Sequence, residues 1–117
     1  MKINNEVYDQ SKRFALRIVK MSRYLADEHR EYVMSRQILK SGTSIGANIS
    51  EALMAQSRAD FLTKMYIALK ECNETKYWLE LLYQANYLPE PAYESIHADC
   101  CSLLSLLVSI VKTTKEK

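Results

Sequence analysis

Within residues 5–26, NEVYDQSKRFALRIVKMSRYLA, apolar or small side chains return at Val7, Ser11, Phe14, Ile18, Met21 and Leu25 in alternating steps of four and three. Such steps belong to an α-helix, because at about 100° per residue the six positions fall within an arc of about 80°. The opposite side carries Lys12, Arg13, Arg17, Lys20 and Arg23, with no acidic residue between Gln10 and Ala26, and Tyr24 lies on the same arc. The first helix is therefore amphipathic with a cationic outer face.

Outward from this stretch the same period continues. Asp27-Glu28-His29-Arg30-Glu31 has no apolar member and reads as a connection. A second helix is expected from about residues 33–36 to Ala55, with Met34, Ile38, Ser41, Ile45, Ile49 and Ala52 inward. Its middle is built of small residues, Ser41-Gly42-Thr43-Ser44 and Gly46-Ala47, and Gly42 and Gly46 lie one turn apart. Each glycine costs about 1 kcal/mol in a helix interior, so a close-packed neighbour has to return that energy. Ser57-Arg58-Ala59-Asp60 has the form of a helix start, with Ser57 as N-cap and Asp60 standing in for the usual Glu or Gln of a capping box. The third helix follows to about Ala85 on the seam Phe61, Met65, Ala68, Cys72, Thr75, Leu79, Leu82. Pro89 and Pro91 punctuate the next link, and a fourth helix runs to about Thr113 with Tyr93, Ile96, Cys100, Leu103, Leu107 and Ile110 inward.

Composition supports this reading. Among 117 residues there are only 2 Gly and 2 Pro, where ordinary usage gives roughly 14 together. Sandwiches and barrels need many tight turns, so they are excluded. With 48% apolar residues the chain can form a core, which sets aside disorder. The expectation is all-α: an antiparallel up-down four-helix bundle, one domain over residues 1–117. Three cysteines, no apolar leader and no long uninterrupted apolar run lead to an expected cytoplasmic location, reduced thiols and no membrane partner. Net charge is +2, but residues 1–50 carry +4 and residues 51–117 carry −2, so a local basic face coexists with a near-neutral whole.

Helix 3 is apolar on more sides than a lone bundle requires. Tyr77, Trp78, Leu79, Leu81, Leu82 and Tyr83 account for six of the seven residues 77–83, and Leu62, Tyr66 and Leu69 form a second stripe beside the core seam. Helix 4 repeats the pattern with Leu104, Val108 and Val111. A helix apolar on several faces needs several neighbours, and a second copy of the chain is the simplest one. Leu62, Tyr66, Leu69, Tyr77, Trp78 and Leu81 are thus the candidate oligomer interface. The competing reading is that amphipathic rings lie flat on the surface of a monomer.

Two paired motifs carry a resemblance. Gln37-Ile38-Leu39-Lys40-Ser41 with Ser44-Ile45-Gly46-Ala47-Asn48-Ile49-Ser50-Glu51, and Phe61-Leu62 with Tyr66-Ile67-Ala68-Leu69-Lys70-Glu71 through Glu74-Thr75-Lys76-Tyr77-Trp78-Leu79, are similar to a bacterial four-helix-bundle family. That family was first noticed as proteins encoded in intervening sequences of 23S ribosomal RNA genes, and the likeness runs from about Tyr8 to Val111. It implies an up-down bundle assembling as a ring, a homopentamer. Its distant relatives include the accessory protein of diversity-generating retroelements, which binds nucleic acid and a reverse transcriptase. Gly46 stands where the family often has Pro, and Ala52 where it often has Gly; both exchanges suit the fold. The resemblance brings no reaction with it.

Catalytic signatures are absent from the sequence: no nucleophile elbow, no phosphate loop and no dinucleotide fingerprint occurs. Glu94-Ser-Ile-His97 is half of a di-iron motif, but His29, the only other histidine, has Ala26 rather than Glu three residues before it. His97 with Cys100 and Cys101, three and four residues apart, is a looser zinc-like set without an evident fourth ligand. Structural cysteines are the commoner case. Glu71 and Glu74 beside Lys70 and Lys76 read as an ion-pair surface, and Asn48 and Asn73 as buried register-fixing amides.

No cofactor and no metal are therefore expected, and no enzymatic activity. The sequence points to an oligomeric scaffold whose partners are itself, RNA or DNA at Lys12, Arg13, Arg17, Lys20 and Arg23, or another protein at the Tyr-rich helix 3. A metal-binding bundle is the remaining alternative.

Overall fold

The computed structural model describes the backbone of residues 2–116 and the side chains of residues 5–116. Four helices follow in chain order: α1 Lys2–His29, α2 Val33–Leu53, α3 Arg58–Gln84 and α4 Glu90–Glu116. The molecule measures 46 × 20 × 19 Å, the length of one such helix at about 1.5 Å per residue by the width of two packed side by side. Consecutive helices are neighbours and α4 returns beside α1, while the diagonal pairs stay apart. This is the expected antiparallel bundle.

All six seam residues of α1 are buried, as are Ile38, Ser41, Ile45, Ile49 and Ala52 of α2, and Met65, Ala68, Cys72, Thr75, Leu79 and Leu82 of α3. From α4 come Ile96, Cys100, Leu103, Leu107 and Ile110, joined by Val111, which the sequence reading had put outside the core. Met34, Phe61 and Tyr93 close the ends as half-buried flanks. The glycines of α2 face α1: a Cβ at Gly42 would meet Ile18 Cγ2 at 2.8 Å, and one at Gly46 would meet Ser11 Oγ at 3.2 Å. Serine opposite glycine lets these two helices approach closely. The hydroxyls of Ser41 and Thr75 lie 2.9 Å apart across α2 and α3, each near a carbonyl of its own helix. Among the described residues no buried side-chain polar atom lacks a partner, which is why a polar pair is tolerated at mid-core.

Several boundaries differ from expectation. Asp27 to His29 form a last, wholly exposed turn of α1. The chain leaves that turn only at Arg30, whose φ of 52° is left-handed. At the start of α2 the side chain of Tyr32 caps nothing; instead the Glu31 carboxylate accepts from Ser35 N at 2.8 Å and Val33 N at 3.3 Å. Ser57 caps α3 as expected, accepting from Asp60 N at 3.0 Å, while Asp60 reaches Gln56 N rather than Ser57 N. α3 ends at Asn86, φ 69°, with Tyr87 N bonded to Leu82 O and Asn86 N to Tyr83 O, a Schellman closure.

Asn73 is exposed, and Asn48 is half-buried and donates to Ser44 O within its own helix, so neither amide fixes register. That role falls to Thr75 and Ser41. Among the described residues α4 is the one helix long and apolar enough in composition to cross a membrane; its inward stripe is packed against the other helices.

Candidate nucleic-acid interface

Four of the five candidate cations on α1 stand free. Lys12, Arg13, Lys20 and Arg23 are exposed and none is ion-paired among the described residues. The ammonium of Lys12 sits 5.9 Å from the centroid of the Tyr8 ring. Arg17 differs. It turns toward α4, pairs with Asp99 and donates to Ser95 Oγ at 3.0 Å, so its charge is spent inside the molecule. Sequence could not disclose this, because Asp99 lies 82 residues away. The ring of Tyr24 is engaged too: its hydroxyl lies 3.1 Å from His29 Nε2, and His29 in turn packs edge-on against Tyr87. Leu16, which the sequence reading passed over, is 57% exposed at the centre of the cationic arc. An α1–α2 groove of about 230 Å³ opens beside Lys12, floored by Ser11, Ala15, Gly46 and Ala47.

The candidate oligomer residues are exposed to different degrees. Leu62, Leu69 and Trp78 are half-buried and pack on the core. Leu81 is half-buried as well. Tyr66 and Tyr77 are 47% and 56% exposed, and Ile67 and Val108 add apolar surface nearby in sequence or on α4. Tyr66 is flanked by the ammonium groups of Lys70 and Lys115 at 5.8 and 5.4 Å from its centroid, and Tyr77 lies edge-on to Trp78 at 5.1 Å.

The remaining chemistry sorts differently from its sequence spacing. Lys76 pairs with Glu80 at 3.2 Å rather than with Glu74, whose carboxylate accepts from Trp78 Nε1 at 3.1 Å. Burial, then the nearby Glu74 carboxylate, pushes Glu71 above the usual carboxylate range. Cys72 and Cys100 are buried with their sulfurs 4.0 Å apart, while Cys101 stays half-buried near the surface. Cys101 therefore lies beside His97 while Cys100 turns into the core, and among the described residues no group of three His, Cys, Asp or Glu is placed to hold a metal ion.

Fold and surface together define an antiparallel four-helix bundle with a cationic flank on its first helix. The chain belongs to the 23S rRNA-intervening sequence protein family, whose model matches residues 3–109. It is similar to a crystal structure at 1.70 Å resolution of a protein of unknown function, of the S23 ribosomal protein family, from Bacteroides thetaiotaomicron VPI-5482. The two are 56% identical with a TM-score of 0.92, over 94% of this chain and 98% of that one. No curated protein gives a significant match.

Proposed function

We propose that the protein is a non-enzymatic scaffold of several identical chains that lays α1 against the phosphate backbone of RNA or DNA. The observation that carries this reading is the run of Lys12, Arg13, Lys20 and Arg23 on one helix, all exposed and without an ion-pair partner among the described residues. Free cations at helical spacing release counterions from a polyanion, and that release drives sequence-independent binding. Assembly multiplies the effect: a ring presenting several α1 faces turns weak single contacts into avid ones. Five is the copy number that the family resemblance implies. The family's description as intervening-sequence proteins of 23S rRNA genes agrees with an RNA partner. A second reading, a protein-interaction module, is favoured by the exposed Tyr66, Ile67 and Tyr77 of α3.

A salt series with single-stranded RNA and DNA tests the first reading. Affinity is expected to fall linearly on logarithmic axes, by about 0.7 in slope for each phosphate contacted. Arg13→Glu with Lys20→Glu is expected to weaken binding and flatten that slope, whereas Arg17→Ala leaves it nearly unchanged. Binding indifferent to salt and to the double substitution would end the phosphate reading and leave the protein module.

A further inference from the structure

Cys100 and Cys101 are neighbours in sequence but about 100° apart around α4, so one thiol enters the core and the other reaches the surface between α3 and α4. There Cys101 Sγ lies 3.7 Å from His97 Nδ1, one turn back on the same helix. His97 Nε2 is in turn 2.8 Å from Glu80 Oε2 on α3, and the same oxygen takes Lys76 Nζ at 3.2 Å. The bonds from His97 and Lys76 hold the Glu80 carboxyl below its ordinary range. An ionised carboxylate only accepts, so the imidazole hydrogen belongs on Nε2 and the lone pair on Nδ1. The Cys101 sulfur, 3.7 Å from Nδ1 and 4.0 Å from Nε2, lies over the ring and meets that lone pair once its side chain turns. The Tyr93 ring flanks the imidazole with centroids 5.0 Å apart, and Tyr83 stacks on Tyr93 at 4.1 Å. Thiol, imidazole and carboxylate thus adjoin one another, supplied by two helices.

We propose that Cys101 is a nucleophilic thiol, with His97 as its base and Glu80 as the residue positioning that base, and that it exchanges with low-molecular-weight disulfides. As Sγ attacks one sulfur of the disulfide, its proton passes to His97 Nδ1. A protein–ligand S–S bond forms, the ligand's own S–S bond breaks, and the leaving thiolate recovers the proton from the imidazolium. Burial and the adjacent Cys100 push the Cys101 thiol up, so the thiol stays protonated at neutral pH and its reaction depends on the base. Cys72 and Cys100, sealed in the core, take no part. The groups facing the site are Lys76, Glu80 and Tyr83 from α3 and Tyr93 and Cys100 from α4. None of this depends on the nucleic-acid reading.

The test is the reaction of the intact protein with an aromatic disulfide that releases a coloured thiolate, followed by mass analysis after treatment with oxidised glutathione. One equivalent per chain is expected to react fast, the adduct is expected on Cys101, and Cys101→Ser is expected to abolish both. His97→Gln is expected to slow the reaction at least about tenfold, since general-base help is worth about 10²–10⁴-fold where fully expressed. Glu80→Gln is expected to change the rate–pH profile, because glutamine carries no charge and does not fix the imidazole hydrogen on Nε2. Thermal melts of each variant separate loss of fold from loss of rate. First labelling at Cys72 or Cys100, or a rate unmoved by His97→Gln in a folded protein, overturns the proposal; if His97→Gln does not fold, an unchanged profile in Glu80→Gln does so.

Discussion

A single methyl group at Gly42 would land 2.8 and 2.9 Å from two carbons of Ile18, a fully buried side chain. Ile18 is β-branched on a helix and holds one rotamer, so it cannot swing aside. Alanine gains about 1 kcal/mol of helix propensity there, but overpacking costs about 1–3 kcal/mol. Gly42→Ala is expected to lose up to about 2 kcal/mol in urea denaturation. At Gly46 the nearest atom is a serine hydroxyl at 3.2 Å, and Gly46→Ala is expected to stay within about 1 kcal/mol of the parent protein. At this scale the sequence announced that something comes close to the small residues of α2 and left open that it is α1. It displayed Arg17 as a cation, but charge pairing is a tertiary property and the Asp99 partner was hidden. The Cys101 neighbourhood was half visible: His97 at i−4 could be read from spacing, whereas Glu80 arrives from another helix.

Helix ends follow from local chemistry of unequal legibility. Ser57 with Asp60 was readable, because a small hydroxyl before an amphipathic run has one obvious use. Glu31 was not, since a glutamate two and four residues before its amide donors resembles any loop acid. Ser57→Ala and Glu31→Ala are each expected to lower stability by about 1 kcal/mol, measured by denaturant midpoints at constant slope. If Glu31→Ala leaves the midpoint unmoved, Tyr32 or water satisfies the first amides of α2 instead. The final turn of α1 escaped notice because Asp27, Glu28 and His29 are all exposed and offer no apolar period, although a helix can extend past its last core residue wherever water serves its carbonyls. Val111 was misplaced for a related reason: near the end of α4 the inward arc widens.

At the scale of the whole molecule, antiparallel order followed from four periodic segments and short links, and most of the core followed from period. Self-assembly is a property of surface, and here the sequence offered surplus without geometry. Leu62, Leu69 and Trp78 lean on their own core, so the surplus reduces chiefly to Tyr66, Ile67, Tyr77 and Val108. Light scattering at micromolar concentration is expected to report a multiple of 13.6 kDa, and Tyr66→Glu with Val108→Glu is expected to reduce it toward a single chain. A parent protein that scatters as a single chain removes the ring and the avidity argued from it.

The joint between α1 and α4 has a consequence of its own. It is the loosest of the four, and its polar ties are Arg17 to Asp99 and Ser95 and Gln10 to Ser102, all on the outer edge. The bundle is therefore a strip of helices fastened firmly at three seams and buttoned at the fourth. That fourth seam is accordingly the one expected to give way first on local opening, ahead of the three firmer ones.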